Sequence, residues 1–198
     1  MIDDCTAIIL AGGNSQRMGS DKASLMLNGR SLLDSVAATM ERLFPHVVLS
    51  VRRLRTDTDL PQVCDDAAYA GPLAGLVSGM ESISTPWAFV VACDMPFVAA
   101  EMVDLLALRR GTYQAVVPVT HGYPQPLAAF YARSGLEEIR THMLSGGKHS
   151  MRAVLEKLHV CYVREPELRK ADEMLRCFVD LDTPAEYARE LNNRGFGV

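Results

Sequence analysis

A loop rich in glycine and basic residues constrains this chain more than any other feature of its sequence. The loop, Leu10–Lys22, reads LAGGNSQRMGSDK and follows the apolar run Thr6–Leu10, which is typical of a β-strand. Glycines carry no Cβ, so their backbone N–H groups can approach phosphate oxygens closely. Arg17 offers a forked donor and Lys22 a compact charge, which together suit a triphosphate. The pattern predicts a polyphosphate site; the alternative is a glycine-rich turn with two solvated cations.

The size and charge of the chain narrow the class of protein. A chain of 198 residues is long enough for one sizeable α/β core, and we expect a single domain over residues 1–198. The formal net charge of −4 argues against a nucleic-acid surface, which usually has a basic balance. No apolar run approaches the roughly 20 residues that span a bilayer, so we expect no membrane partner.

The cysteines and the N-terminus favour a cytoplasmic protein. The five cysteines are scattered, odd in number and never spaced C-x-x-C, unlike a disulfide framework or a zinc site. The acidic segment Met1–Asp4 lacks the basic region of a signal peptide. We therefore expect reduced thiols and a cytoplasmic location.

Apolar, β-rich runs alternate with helical patterns along most of the chain. The alternation predicts right-handed βαβ units and a mainly parallel sheet with helices on both faces. The predicted strands are Thr6–Leu10, His46–Val51, Trp87–Cys93, Gln114–Val119, Leu127–Tyr131 and Val160–Val163. The predicted helices are Ser31–Phe44, Leu73–Ile83, Ala100–Arg110, Gly135–Leu144, Ser150–Leu158 and Pro184–Asn192.

The carboxyl ends of the predicted strands indicate where a ligand binds. In open α/β sheets, ligands lie beyond those ends. We therefore expect four segments to meet in one crevice: Gly12–Lys22, Arg52–Arg55, Asp65–Gly75 and Asp94–Pro96.

Two aspartates in these segments have side chains suited to a nucleotide. Asp94 directly follows the strand Trp87–Cys93, where a carboxylate can hold a phosphate-bound Mg²⁺. The alternative for Asp94 is a turn or N-cap role. Asp66 offers paired acceptors for the N1–H and N2–H₂ edge of guanine, with a solvated acidic turn as the alternative.

Two basic groups are candidates for contact with an anionic ligand. Arg52, Arg53 and Arg55 follow the second predicted strand and form either a solvated loop or part of the crevice. Lys148 and Arg152 flank the start of a predicted helix, and helix N-termini favour anions. This second pair is a candidate for another phosphate.

A pair of carboxylates occurs near the end of the chain. The segment Phe178–Pro184 is predicted to end an apolar strand and to place Asp180 and Asp182 before a helix. One interpretation is that Asp182 or Thr183 is only the N-cap of that helix. The other is that the aspartates contact a ligand or a metal ion. Both interpretations remain open at this point.

Several of these segments together resemble a known enzyme family. LAGGNSQRMGSDK, GPLAG (Gly71–Gly75), CDMPF (Cys93–Phe97), PLAAFY (Pro126–Tyr131) and DLDTPAEY (Asp180–Tyr187) are similar to motifs of the MobA family of molybdenum cofactor guanylyltransferases. The resemblance runs from about Thr6 to Glu190. It implies a Rossmann-like nucleotidyltransferase fold and transfer of GMP from GTP to molybdopterin, with release of pyrophosphate.

The resemblance also implies roles for individual residues. The loop Leu10, Ala11, Gly12 and Gly13 looks like the nucleotide cradle, and Lys22 corresponds to a phosphate-binding lysine. Asp66 resembles a GTP-binding aspartate, and Asp94 resembles a Mg²⁺ ligand that also contacts GTP. The implied partners are GTP and molybdopterin, with transient contact to maturation proteins of molybdoenzymes.

Two positions depart from the family pattern. Arg52 stands where the family often has asparagine, which leaves its contact with GTP open. The motif Asp180-Leu181-Asp182-Thr183-Pro184 has aspartates where the family often has asparagines, a form also found in related cytidylyltransferases. The alternatives are therefore a molybdopterin cytidylyltransferase or another small nucleotidyltransferase acting on a phosphorylated acceptor. A non-catalytic binding module is the remaining alternative, but it has no need for Arg17, Lys22 and Asp94 together.

Overall fold

The computed structural model describes residues 1–12, 21–66, 69, 71–145 and 150–192. The strands are β1 (Cys5–Leu10), β2 (Met26–Leu27), β3 (Arg30–Ser31), β4 (His46–Val51), β5 (Gln62–Cys64), β6 (Trp87–Ala92), β7 (Ala115–Thr120), β8 (Tyr123–Pro124), β9 (Ala128–Ala132) and β10 (Val160–Arg164). An eight-stranded sheet has the order β10–β7–β9–β6–β1–β4–β5, with β8 paired to β7, and β2 and β3 form a separate hairpin.

The main sheet is largely parallel. β1 pairs in parallel with β4 and β6, β4 with β5, and β7 with β10. β9 is antiparallel to both of its neighbours, β6 and β7. Leu10 is in register with Ser50 on one side and with Ala92 on the other. Three strands therefore end side by side at one edge of the sheet, and the predicted mainly parallel sheet is confirmed.

Helices cover both faces of the sheet. They are α1 (Leu32–Leu43), α2 (Pro72–Ser82), α3 (Ala100–Ala107), α4 (Leu136–Leu144), α5 (Met151–Leu155), α6 (Glu165–Leu168) and α7 (Pro184–Asn192). α1 begins at a Ser31 cap, whose hydroxyl accepts from the N–H of Asp34 at 2.9 Å. α2 begins with Pro72 after Gly71, whose φ of +87° favours glycine. None of the helices in the described part of the chain is long and apolar enough to cross a membrane.

Successive side chains of the buried strands supply two separate cores. Along β1, Ala7 and Ile9 pack on the face covered by α1, α3 and α6, whereas Ile8 and Leu10 pack on the face covered by α2, α4 and α5. On the first face, the rings of Phe44, Phe89 and Phe130 cluster, with the Phe89 and Phe130 centroids 4.9 Å apart. Burial on both faces explains why these strands are continuous apolar runs in the sequence.

The six strands and six helices predicted from the alternating pattern are all present, with end residues that differ by a few positions. Five short elements of two to four residues were not predicted: the strands β2, β3, β5 and β8 and the helix α6. The strand predicted to end near Phe178 is wrong. A 3-10 turn, Arg176–Phe178, leads instead into an irregular segment, because Leu175 before it has a φ of +53° that breaks an extended run.

Candidate functional site

A cavity of about 490 Å³ opens at the carboxyl ends of β1, β4 and β6. Each of the four segments expected to meet there contributes to its wall, through Gly12 and Lys22, Arg52, Asp65, and Asp94. Leu10 and Ala11 also line the cavity. The position agrees with the rule that ligands bind beyond the carboxyl ends of strands in such sheets.

Lys22 lies at the centre of the charged part of the cavity. It begins a 3-10 turn, Lys22–Ser24, whose cap Asp21 accepts from the N–H of Ala23 at 3.1 Å. The Lys22 Nζ donates to Asp94 Oδ2 at 3.0 Å and also contacts Asp182 Oδ1. These side chains are distant in sequence, and the fold brings them to one point.

Burial and charge act in opposition on this group. Burial is the largest effect on the Asp94 carboxyl and raises its pKa. Lys22 offsets part of that shift, and repulsion from Asp182 adds to it, so the pKa remains raised. Burial alone lowers the pKa of the Lys22 ammonium, but its contacts with Asp182 and Asp94 outweigh this, and its pKa is raised. Lys22 therefore remains a cation that two carboxylates share.

The backbone holds Asp94 in place at the end of β6. The N–H of Cys93 donates to the carbonyl of Leu10 at 3.1 Å, and the N–H of Met95 donates to that of Ala92 at 3.2 Å. The carbonyl of Asp94 accepts from the N–H of Leu181 at 3.0 Å. The last contact attaches the C-terminal segment to the end of β6.

The C-terminal segment carries its two aspartates into the cavity. Leu181 is fully buried, and its neighbours Asp180 and Asp182 line the wall. Thr183 is the N-cap of α7, since its hydroxyl accepts from the N–H of Glu186 at 3.2 Å while Glu186 Oε2 accepts from the N–H of Thr183 at 2.8 Å. With the cap supplied by Thr183, Asp182 is left for its contact with Lys22.

The two neighbouring aspartates after β5 have different positions. Asp65 lines the cavity and accepts from Ser50 Oγ at 2.6 Å through Oδ1. Asp66 is exposed and does not belong to the cavity wall. Asp66 was the aspartate predicted from the sequence to contact a nucleotide; the carboxylate that lines the cavity is that of its neighbour Asp65. The backbone pairing with β4 reaches Asp65, whose N–H donates to the carbonyl of Val51 at 2.8 Å, whereas the carbonyl of Asp66 accepts from the N–H of Tyr69 in the turn that follows.

The three arginines after β4 divide into separate roles. Arg52 lines the cavity, is exposed, and donates to the carbonyl of Tyr69 at 3.4 Å. Arg53 is exposed. Arg55 is only 12% exposed and pairs with Asp57 at 2.6 Å and with Asp21, the residue before Lys22. Its pKa is raised, with the Asp57 hydrogen bond as the largest cause. Arg55 therefore supports the Lys22 turn rather than facing a ligand.

Three predicted site residues lie outside the described part of the chain, and some residues that line the cavity were not predicted. Gly13, Arg17 and Lys148 lie outside the described residues. Arg152 is exposed on α5 with its guanidinium 5.8 Å from the Tyr123 ring, and it does not line the cavity. The lining residues Gln125, Pro126 and Leu127 were not predicted as site residues, although the PLAAFY motif contains two of them and was the available signal.

The arrangement is suited to a phosphorylated substrate whose phosphate oxygens complete the coordination of a metal ion. Among the described residues, no group of three or more histidine, cysteine, aspartate or glutamate side chains is placed to hold a metal ion alone. Asp94 and Asp182 nevertheless converge on one cation, the Lys22 Nζ. Two carboxylates completed by substrate phosphates are a common way to hold Mg²⁺.

Comparison with known proteins gives consistent matches over most of the chain. Residues 7–161 match the family model of the MobA-like NTP transferase domain. A protein of Bacillus mycoides (strain KBAB4) named "Probable molybdenum cofactor guanylyltransferase" is 31% identical over 193 residues, which cover 93% of this chain and 94% of that protein. A protein of the same name from Methanosarcina mazei is 34% identical over 193 residues, covering 90% and 86%.

A solved structure gives the same result at the level of the fold. Molybdopterin-guanine dinucleotide biosynthesis protein A from Archaeoglobus fulgidus superposes with a TM-score of 0.84 at 28% identity. The superposition covers 95% of this chain and 97% of that one. Sequence and structure thus point to the same group of proteins over nearly the full length.

Proposed function

Because the chain belongs to the MobA-like NTP transferase family, we propose that it transfers GMP from GTP to molybdopterin, forming molybdopterin guanine dinucleotide and releasing pyrophosphate. The chain is a nucleotidyltransferase. The observation that carries the proposed reaction is the convergence of Lys22, Asp94 and Asp182 in a cavity at the carboxyl ends of the strands. We further infer that residues 1–198 act as one domain, since one sheet joins elements from both halves of the described chain.

A divalent metal ion, Mg²⁺ in this proposal, fits the acidic residues that face Lys22. Asp94 would hold it, with Asp182 as the second carboxylate, because both already contact one cation. When bound, Mg²⁺ neutralises charge on the phosphates of the nucleotide.

The residues of this chain then supply alignment and charge. The terminal phosphate of molybdopterin is already a nucleophile and needs no strong general base. The barrier is repulsion between anions and their misalignment, which positioned cations lower. Lys22 and Arg17 provide positive charge beside the triphosphate, and the backbone N–H groups of Gly12 and Gly13 are the proposed donors for it, since the N–H of Ala11 already donates to the carbonyl of Ser50. The roles of Arg17 and Gly13 rest on the sequence motif.

A turnover assay tests the proposed reaction. The purified chain with GTP, Mg²⁺ and molybdopterin is expected to release pyrophosphate and to yield a guanine dinucleotide detectable by mass spectrometry. Each reactant is omitted in turn as a control. Release of pyrophosphate that does not depend on molybdopterin, or the absence of a dinucleotide product, contradicts the proposal.

We expect GTP to be preferred over ATP and CTP, because guanine alone among these bases presents the paired N1–H and N2–H₂ donors. Asp65→Asn is expected to erode this preference more than Asp66→Asn does, since only Asp65 lines the cavity. A preference built on paired buried hydrogen bonds reaches on the order of 10²-fold or more. Competition binding with the three triphosphates measures it. A larger effect of Asp66→Asn restores the assignment made from the sequence.

The second candidate function is that of a molybdopterin cytidylyltransferase. The observation that favours it is the acidic pair Asp180 and Asp182, both in the cavity wall. Tighter binding of CTP than of GTP in the same competition experiment would support the cytidylyltransferase function.

The acceptor is an anion, and we propose that Lys148 and Arg152 contribute cations to a part of its site outside the cavity, since Arg152 is exposed on α5. Asp180 and Asp182, which line the cavity, oppose the same negative charge. We expect the double substitution Lys148→Ala and Arg152→Ala to raise the KM for molybdopterin while the KM for GTP stays nearly constant. Contacts that are equal in the ground and transition states leave kcat little changed. Steady-state kinetics with each substrate varied in turn measures both constants. An unchanged KM for molybdopterin, or an equal loss for both substrates, removes these residues from the acceptor site.

We also infer a cytoplasmic location and transient contact with maturation proteins of molybdoenzymes. Support for the location comes from the five cysteines, all of which are free thiols. Burial raises the pKa of Cys5, Cys93 and Cys177 to about 12, so these three thiols stay protonated and unreactive at neutral pH.

A further inference from the structure

Ser50 is a buried hydroxyl at the point where three parts of the cavity wall meet. It is fully buried near the end of β4, and its carbonyl accepts from the N–H of Ala11 at 2.9 Å. Its Oγ donates to Asp65 Oδ1 at 2.6 Å. The N–H of Asp65 donates to the carbonyl of Val51 at 2.8 Å, so the backbone of Asp65 is held beside the same strand. Backbone and side chain of Asp65 therefore both have a fixed partner on β4.

Two glycines leave the room that this pair of side chains occupies. A Cβ on Gly75, in the first turns of α2, would lie 2.6 Å from Ser50 Oγ and 3.4 Å from Asp65 Oδ1. A Cβ on Gly12 would lie 2.5 Å from Asp65 Oδ2. Contacts this short exclude any side chain at either position unless the Ser50–Asp65 pair moves. The glycines at these positions thus keep space for a carboxylate, in addition to letting a ligand approach the backbone.

We propose that Ser50 is a positioning residue that aims the Asp65 carboxylate at the hydrogen-bond donors of the bound nucleoside. This inference rests on the proposed nucleotide substrate. A carboxylate repels a triphosphate, so the part of a nucleotide that suits Asp65 is a neutral donor, an N–H of the base or an O–H of the ribose. A carboxylate has about four acceptor sites, and the Ser50 hydroxyl uses one of them. Acceptor capacity on both oxygens remains for the ligand.

The hydrogen bond matters because it selects one orientation of a short side chain. Without the Ser50 hydroxyl, the carboxylate can rotate, and the bound nucleotide must then supply the ordering that the serine supplies in advance. Ser50 itself does not need to touch the nucleotide. The contribution of Ser50 to nucleotide affinity is therefore expected to disappear when residue 65 no longer carries a carboxylate that accepts hydrogen bonds from the nucleotide.

A double-mutant cycle tests this dependence. The variants are Ser50→Ala, Asp65→Asn and the combination, with Thr6→Ala as the matched control. Thr6 is also a buried strand hydroxyl, but its partner is Thr85 Oγ1 at 2.8 Å and it lies at the start of β1, away from the cavity. Calorimetric binding of GTP with Mg²⁺ and without acceptor gives the dissociation constants.

We expect Ser50→Ala to weaken GTP binding roughly tenfold, in the range for one hydrogen bond to a charged group. Asp65→Asn is expected to weaken it at least as much, and the double variant no more than Asp65→Asn alone. Thr6→Ala is expected to stay within about twofold of the wild type. Additive effects of Ser50→Ala and Asp65→Asn, or unchanged affinity in Ser50→Ala, overturn the proposal.

Two analogues of GTP identify which group of the nucleotide donates a hydrogen bond to Asp65. ITP lacks the exocyclic amine of guanine, and 2′-deoxy-GTP lacks one ribose hydroxyl. Whichever analogue binds the wild type more weakly than GTP should lose that disadvantage in Ser50→Ala. Disadvantages that persist undiminished for both analogues in Ser50→Ala overturn the proposal. If the wild type binds another triphosphate more tightly than GTP, the proposed function fails. The double-mutant cycle is then repeated with that triphosphate, and it still tests the role of Ser50.

Gly75→Ala separates a positioning role from a merely structural one. Its new Cβ meets Ser50 Oγ, so the variant is expected to unfold at a lower urea concentration and to bind GTP more weakly. Adding Ser50→Ala removes the atom that collides and is expected to recover part of the stability without recovering GTP affinity. Recovery of both properties together means that Ser50 only fills space, and it overturns the proposal.

Discussion

Replacing Asp94 with alanine is expected to lower the rate of pyrophosphate release by roughly 10³-fold or more, the scale of several kcal/mol of lost charge stabilisation. Asp94 lies in the cavity wall just after the buried strand β6 and shares the Lys22 cation with Asp182. The substitution removes the more deeply placed of the two carboxylates proposed to hold Mg²⁺. Steady-state pyrophosphate release with GTP and molybdopterin, measured over a range of Mg²⁺ concentrations, gives the effect.

The fold of the Asp94→Ala variant is expected to remain intact. Backbone hydrogen bonds from Cys93, Met95 and Leu181 hold this turn, and none of them uses the Asp94 side chain. Asp104→Ala, an exposed aspartate on α3, is the matched control and is expected to keep wild-type rates. Near-normal turnover of Asp94→Ala at limiting Mg²⁺ would falsify the metal-binding role.

Replacing Lys22 with alanine is expected to slow turnover by on the order of 10²–10³-fold, the usual effect of removing one preorganised charge at a transition state. The Lys22 side chain is 18% exposed in the cavity, so its charge is only partly screened by water. The loss is expected mainly in kcat, because the lysine acts on charge that develops during phosphoryl transfer. Single-turnover rates at saturating GTP measure this step.

The effect of Lys22→Ala on unfolding is expected to be smaller than its effect on rate. Lys157→Ala removes an exposed lysine beyond α5 and serves as the control for the loss of a surface charge. A Lys22→Ala variant that unfolds at much lower denaturant, yet keeps its rate per folded molecule, would show that Lys22 stabilises the fold and does not act in catalysis.

Much of the framework was predictable from local pattern. The runs that became β1, β4 and β6 are buried on both faces, and such strands leave an uninterrupted apolar signal. Parallel pairing followed from the alternation of strands and helices, and it implied that the loops after these strands would meet. The exception is β9, which enters the sheet antiparallel between β6 and β7; its own sequence is an apolar run with no sign of direction.

The sequence by itself determined which residue types reach the cavity: a glycine-rich loop with a lysine, an aspartate after β6 and an acidic pair before α7. Only the tertiary structure decided which side chain of each segment faces inward. Asp65 rather than Asp66 lines the wall, Thr183 rather than Asp182 caps α7, and Arg55 pairs with Asp21. Local pattern is governed by the backbone and by burial, which act over neighbouring residues. The orientation of a polar side chain depends on a partner that is remote in sequence, and that partner exists only once the chain has folded.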